Sequence, residues 1–150
     1  MKPFLKFAGS KYRVVKYVKR IIGQFSGNRL VEPFVGSGTL FLNTSYEAYL
    51  LCDINENIIN LYKNLTLSKK EFINYAKSFF TLENNQPAKY YYFRDLFNET
   101  KDDVLKSALF LYLSRHGYNG LVRYNKKGQF NVPFGRYEKP YFPEKEMLFF

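Results

Sequence analysis

Glu32-Pro33-Phe34-Val35-Gly36-Ser37-Gly38 sets two glycines where a short apolar run, Leu30–Phe34, gives way to polar chain. With no Cβ atoms there, a nucleotide-like ligand can approach the backbone amides of the turn. Asp53 follows 15 residues after Gly38, at the end of a second apolar run, Ala48–Cys52. A carboxylate in that place can accept hydrogen bonds from both hydroxyls of a ribose. Either feature alone is equally an ordinary turn or a helix cap, but together they point to a nucleoside cofactor. The turn has neither the G-x-G-x-x-G spacing of dinucleotide sites nor the G-K-[ST] of P-loops. No lysine follows Gly38 to hold phosphates. A ligand with a ribose and no pyrophosphate, such as S-adenosylmethionine, suits such a turn better than NAD or ATP.

A second cluster runs from Arg115 to Tyr137, RHGYNGLVRYNKKGQFNVPFGRY, with hardly any acid to balance its cations. Arg123 can pair bidentately with guanine, and Asn119 or Asn131 can read adenine. Tyr118 can stack in the gap left by a displaced base. Lys126 and Lys127 at the turn suit phosphates, which position without specifying, and a solvated hairpin accounts for them equally well. Lys6-Phe7-Ala8-Gly9-Ser10-Lys11 is either a solvated entry loop or an aromatic and a cation beside the cofactor pocket. His116 has no evident partner and reads as a hydrogen-bonded structural residue. Cys52 reads as packed on its strand.

The elements that must position these groups are visible in the apolar spacing. Val14, Val15, Val18, Ile21 and Ile22 mark an amphipathic helix closed by Gly23. Leu30–Phe34 and Ala48–Cys52 are short strands, with a helix expected between them after the glycine turn. Ile58, Ile59, Tyr62 and Leu65 give the next helical stripe. Ser68 and Glu71 have capping-box spacing ahead of Phe72, Ile73, Ala76, Phe79 and Phe80. Thr100 with Asp103 opens a helix that buries Val104, Leu105, Ala108, Leu109 and Tyr112. Leu121–Tyr124 and Gln129–Val132 flank Asn125-Lys126-Lys127-Gly128 as a hairpin. The order predicts an α/β sheet in the first half and an inserted helical lobe in the second.

Composition sets the class. A chain of 150 residues with 46% apolar content predicts one folded domain with at most a small added lobe. Its formal charge of +10 favours a phosphate backbone, with an anionic membrane surface the lesser alternative. Aromatics reach 20%, all Phe or Tyr, and divide between a core and rings on which bases can stack. One cysteine and one histidine exclude an internal disulfide and a Cys/His metal site. With no bilayer-length apolar run and no signal-peptide-like start, the expectation is a cytoplasmic, DNA-associated protein without metal or membrane partner.

KFAGSK, EPFVGSG, LCDIN and RHGYNGLVRYNKKGQFNVPFGRYEKPYFP together resemble the Dam-type adenine-N6 DNA methyltransferases of the D12 class, in the α motif order. The similarity runs from Lys2 to about Phe142. It implies a partial Rossmann-like methyltransferase sheet with an inserted helical recognition lobe carrying a β-hairpin. Residues 1–65 would be the incomplete S-adenosylmethionine-binding part, and 66–143 the target-recognition lobe with its hairpin at 121–132. Residues 144–150 would begin a truncated helix. The resemblance places Phe7, Lys11, Phe34, Gly36, Gly38 and Asp53 at the cofactor. The family usually carries Trp where Phe7 stands and Gly where Ser10 stands, so Phe7 keeps the stacking and lacks the indole N–H. Lys6, Tyr118, Asn119, Leu121, Arg123, Pro133, Arg136 and Tyr137 match positions that face double-stranded DNA in members recognising GATC.

The implied reaction moves a methyl group from S-adenosylmethionine to N6 of a flipped adenine. In the family a [DNS]-P-P-[YFW] tetrapeptide holds that amine, and no doubled proline occurs here. No catalytic residue is therefore assigned to this chain. The expectation is a fragment, a truncated product or one part of a split enzyme, completed by a C-terminal polypeptide and not fully active alone. The competing readings are a non-catalytic DNA-binding module and a basic RNA- or nucleoside-binding protein.

Overall fold

A computed structural model describes residues 1–150 as a mixed α/β chain with six helices and a two-stranded parallel sheet. A short 3-10 turn at Lys11–Arg13 leads into α1, Val15–Ile22, with Gly23 at its C-cap. The apolar stripe of α1 is real, yet none of its residues is buried; Ile21 is 59% exposed.

β1, Arg29–Glu32, pairs in parallel with β2, Ala48–Leu51, in the register Arg29 to Ala48 through Glu32 to Leu51. Side chains alternate across a pleated strand. Leu30, Glu32, Tyr49 and Leu51 accordingly turn inward while Val31 and Leu50 stay exposed. Cys52 N–H donates to the Glu32 carbonyl (2.8 Å) and Val35 N–H to the Cys52 carbonyl (2.9 Å), carrying the pairing past both strand ends. The glycine turn and Asp53 therefore emerge side by side at the carboxyl edge of the sheet, the edge where open α/β sheets bind ligands. The crossover between the strands holds only a 3-10 turn, Phe41–Asn43, where a helix was expected. Cys52 is exposed rather than packed.

The rest is helical: α2 Glu56–Leu67, α3 Lys69–Lys77, α4 Pro87–Glu99, α5 Asp103–His116 and α6 Glu144–Phe149. Asn55 caps α2 by accepting from Asn57 N–H (3.1 Å). Asp102, rather than Thr100 or Asp103, caps α5 by accepting from Val104 N–H (2.9 Å) and Leu105 N–H (3.0 Å). The Ser68 capping box does not form, because Ser68 also ends α2 and its own N–H is spent on the Asn64 carbonyl. α5 is buried from Ser107 to Ser114, as befits a central helix, and packs on α2, α3 and α4.

α4 was not anticipated, although Pro87 opens it at a favoured first-turn position and Tyr90, Phe93 and Phe97 form its buried stripe. Much of the aromatic content is core. Tyr90 and Tyr112 are fully buried, their hydroxyls donating to the Val132 carbonyl (3.0 Å) and the Asn84 carbonyl (2.6 Å). The two strands expected around Asn125–Gly128 do not form. Tyr124 and Phe130 make a single antiparallel bridge, and Gly117 and Phe134 another. The segment still reverses, with Asn125 N–H donating to the Gln129 carbonyl (2.8 Å) and Asn131 N–H to the Arg123 carbonyl (3.1 Å). No helix is long and apolar enough to cross a membrane.

Candidate functional site

The glycine turn is held at its centre from two sides. Gly36 N–H donates to Asp53 Oδ2 (2.8 Å), while the Tyr62 hydroxyl donates to the Gly36 carbonyl (2.6 Å). Asp53 Oδ1 accepts from Asn55 N–H (2.9 Å), so the acid that follows β2 also fixes the entry to α2. Burial, aided by Glu32 and Asp53 nearby, pushes the Tyr62 phenol well above its ordinary range and keeps it a donor. Gly36 sits at φ +51°, and a Cβ there would meet nothing nearer than Phe7 Cε1 at 4.0 Å. Gly38 sits at φ +74° against Phe41 and Tyr62, where a Cβ would lie 2.3 Å from Phe41 Cε1. Gly36 thus faces open space beside an aromatic ring, and Gly38 faces the core.

Two cavities meet at Phe7. The first, about 40 Å³, is lined by Phe7, Ser10, Lys11, Glu32, Gly36 and Thr39 among others. The second is lined by Phe7, Asp53, Asn55, Asn57, Val122 and Tyr124. The structure therefore gathers Phe7, Lys11, Gly36 and Asp53 about one bipartite cleft. Gly38 supports the turn from below without lining either cavity. Phe34 lines neither, and its ring is 77% exposed.

Several residues of the cleft went unread in the sequence. Glu32 is buried on the floor of the first cavity, and its Oε1 has no hydrogen-bond partner. Burial raises its carboxyl pKa, against a backbone hydrogen bond near Phe41 and the charge of Lys11. Ser10, Ser37 and Thr39 form a hydroxyl cluster, with Ser10 Oγ to Thr39 Oγ1 at 2.9 Å and Ser37 Oγ to Thr39 Oγ1 at 3.0 Å. Tyr124 joins the second half of the chain to this site, its hydroxyl accepting from Asn57 Nδ2 (2.9 Å). The inward alternation of β1 is the one sequence signal that could have flagged Glu32.

The entry loop also touches the basic segment. Ala8 N–H donates to the Gly120 carbonyl (3.0 Å), and Lys6 Nζ lies 3.7 Å from the centroid of the Tyr137 ring. The Tyr137 hydroxyl accepts from Asn119 N–H (3.0 Å), bringing Lys6, Asn119 and Tyr137 into one cluster. Tyr118, Arg123, Pro133 and Arg136 are exposed, while Leu121 is half-buried against the core. Asn119 and Arg136 take positive φ, 53° and 55°, backbone states uncommon outside glycine. His116 is buried, its Nδ1–H donating to the Tyr112 carbonyl (2.9 Å), which makes it structural. No group of three His, Cys, Asp or Glu side chains is placed to hold a metal.

Comparison with known proteins decides the family. A model of the D12 class N6 adenine-specific DNA methyltransferases matches residues 7–150. The chain belongs to that family. It is 50% identical over 147 residues to the DNA adenine methylase of Serratia marcescens, covering 98% of this chain and 54% of that protein. The DNA adenine methylases of Escherichia coli K12 (50%) and Vibrio cholerae (51%) match over the same length, each covered to 52%. The chain thus spans about half the length of these curated relatives.

Proposed function

We propose that this chain is the cofactor-binding and target-recognising portion of a DNA adenine-N6 methyltransferase that uses S-adenosylmethionine and reads GATC in double-stranded DNA. The observation that carries the cofactor reading is the clasp between Gly36 and Asp53 beside a buried, unpartnered Glu32 oxygen. A buried carboxylate oxygen without a hydrogen-bond partner is costly, and a cationic group in the cleft would relieve it. The residues fit the cofactor: Asp53 and Asn55 on the ribose side, Phe7 against the adenine, Gly36 leaving room, and Glu32 toward the ammonium. S-adenosylmethionine supplies the methyl group as a sulfonium. This chain's part is to bind and orient it, with Lys11 at the cleft and the Ser10–Ser37–Thr39 hydroxyls below.

Residues 1–65 form the cofactor part in this reading, and residues 66–143 the recognition lobe. Lys6, Tyr118, Asn119, Leu121, Arg123, Pro133, Arg136 and Tyr137 meet DNA, Arg123 through a base edge and Tyr118 by stacking. The charge of +10 supports phosphate contact.

In this reading the amine-holding tetrapeptide lies in the part of the relatives' length that this chain does not span. Val31 and Leu50 on the sheet, and Tyr17 and Ile21 on α1, stay exposed and suit packing by that part. Transfer of a tritiated methyl group to GATC DNA tests this reading. We expect signal when the chain is mixed with the unmatched half of the Serratia marcescens methylase. Absence of transfer in the mixture, with both parts folded and bound, contradicts it and favours a non-catalytic DNA-binding module.

A further inference from the structure

We propose that Asn131 is a positioning residue that presents Arg123 to a base edge before DNA arrives, an inference that rests on the recognition reading above. Arg123 Nε–H donates to Asn131 Oδ1 (2.8 Å), and Arg123 Nη2–H donates to the Asn131 carbonyl (3.1 Å). One residue therefore holds the side-on edge of the guanidinium with both its side chain and its backbone. The end-on edge, built from Nη1 and the second Nη2 hydrogen, stays free, and the side chain is exposed. That edge carries two parallel N–H donors, the arrangement that pairs with O6 and N7 of guanine.

Asn131 can do this because its neighbours are clamped. Asn98 on α4 reaches Phe130 twice, accepting from its N–H (2.8 Å) and donating to its carbonyl (3.1 Å). The buried Tyr90 hydroxyl donates to the Val132 carbonyl (3.0 Å). Phe130 and Val132 point into the core at 1% and 0% exposure, which turns Asn131 outward between them. These side-chain clamps from α4 reinforce the register that the single Tyr124–Phe130 bridge and the Asn131 N–H to Arg123 carbonyl bond give the segment. A guanidinium fixed in advance loses less rotamer freedom on binding. One of the two lone pairs on Asn131 Oδ1 is thereby taken up by Arg123.

The experiment is fluorescence anisotropy of the full 150-residue chain on a GATC duplex and on every single-base-pair substitution of it, across a salt series. Arg123→Ala should abolish discrimination at one base pair. Asn131→Ala should lower discrimination at that same pair, by roughly three- to tenfold, and leave the other positions unchanged. Asn131→Asp keeps the acceptor and should restore it, which also guards against a folding defect in the alanine variant. The double variant should discriminate no worse than Arg123→Ala, since the two residues act through one contact. Uniform weakening by Asn131→Ala with a shallower salt slope would mark a phosphate contact and overturn the inference. Additive losses would overturn it as well. A wild-type chain that binds all duplexes alike instead overturns the recognition reading, and this inference with it.

Discussion

The Gly36 amide lies 2.8 Å from Asp53 Oδ2, so the turn after one strand and the acid after its parallel neighbour form a single clasp. Parallel pairing puts both carboxyl ends at one edge, and the carboxylate then serves two backbone amides, Gly36 and Asn55. Removing it should disturb binding and stability together. Hydrogen bonds to a charged group contribute about 1.5–3 kcal/mol each. Asp53→Asn would aim an amide donor at one of these N–H groups, so it should weaken S-adenosylmethionine nearly as much as Asp53→Ala. Thermal unfolding alongside calorimetry checks this; an Asn variant with wild-type affinity would show that the charge is not needed.

The two glycines of the turn should fail differently. Gly38→Ala puts a Cβ into Phe41 at a positive φ and should destabilise the fold by about 2–4 kcal/mol. Gly36→Ala meets nothing closer than the Phe7 ring, and should cost only about 1–2 kcal/mol for its φ while weakening the cofactor at least as much as the fold. Denaturant melts and ligand titrations of both variants separate the two outcomes. Equal unfolding by both would deny Gly36 its special place.

Glu32 should trade stability for binding. Glu32→Gln removes a buried carboxylate whose Oε1 has no partner, and the free protein should gain roughly 1 kcal/mol. The same change removes the counter-charge for the ligand's ammonium, so affinity for S-adenosylmethionine should fall roughly tenfold. A lowered melting temperature in Glu32→Gln would instead mean that the ionised carboxylate stabilises the fold.

His116 should make stability depend on pH. Burial lowers its pKa from 6.5 to about 4, opposed by the bond to Tyr112. The unfolded chain therefore holds more protons on this group between those values, and stability rises with pH across them. The contribution is complete above about pH 6.5 and is lost as pH falls toward 4, on the order of 3 kcal/mol in all. His116→Gln should flatten that part of the curve in chemical denaturation. An unchanged difference between pH 7 and pH 4 would place the titration elsewhere.

What could be read in the sequence was local or tied to strand ends. The glycine turn and Asp53 were legible because two short apolar runs end at them, and parallel pairing alone brings them together. α4 was not, since its Tyr- and Phe-rich run can serve equally for core or stacking, and only the packing of Tyr90 and Phe97 on α5 and Phe130 settles those rings as core. The expected hairpin strands gave way to long-range clamps from Asn98 and Tyr90, contacts 32 and 42 residues distant that no local pattern encodes. Phe34, which the motif places at the cofactor, is exposed while the adjacent Val35 is buried. Glu32 went unread because acids are seldom buried, and its inward place follows from its alternation with the exposed Val31 along β1.

The most direct test is calorimetric titration of S-adenosylmethionine into the wild-type chain and into Asp53→Ala. Saturable one-to-one binding by the wild type, weakened at least tenfold in the folded variant, is the predicted result. Equal affinity in the two, or no binding by a folded wild-type chain, would contradict the assignment of the Gly36–Asp53 clasp as the cofactor site.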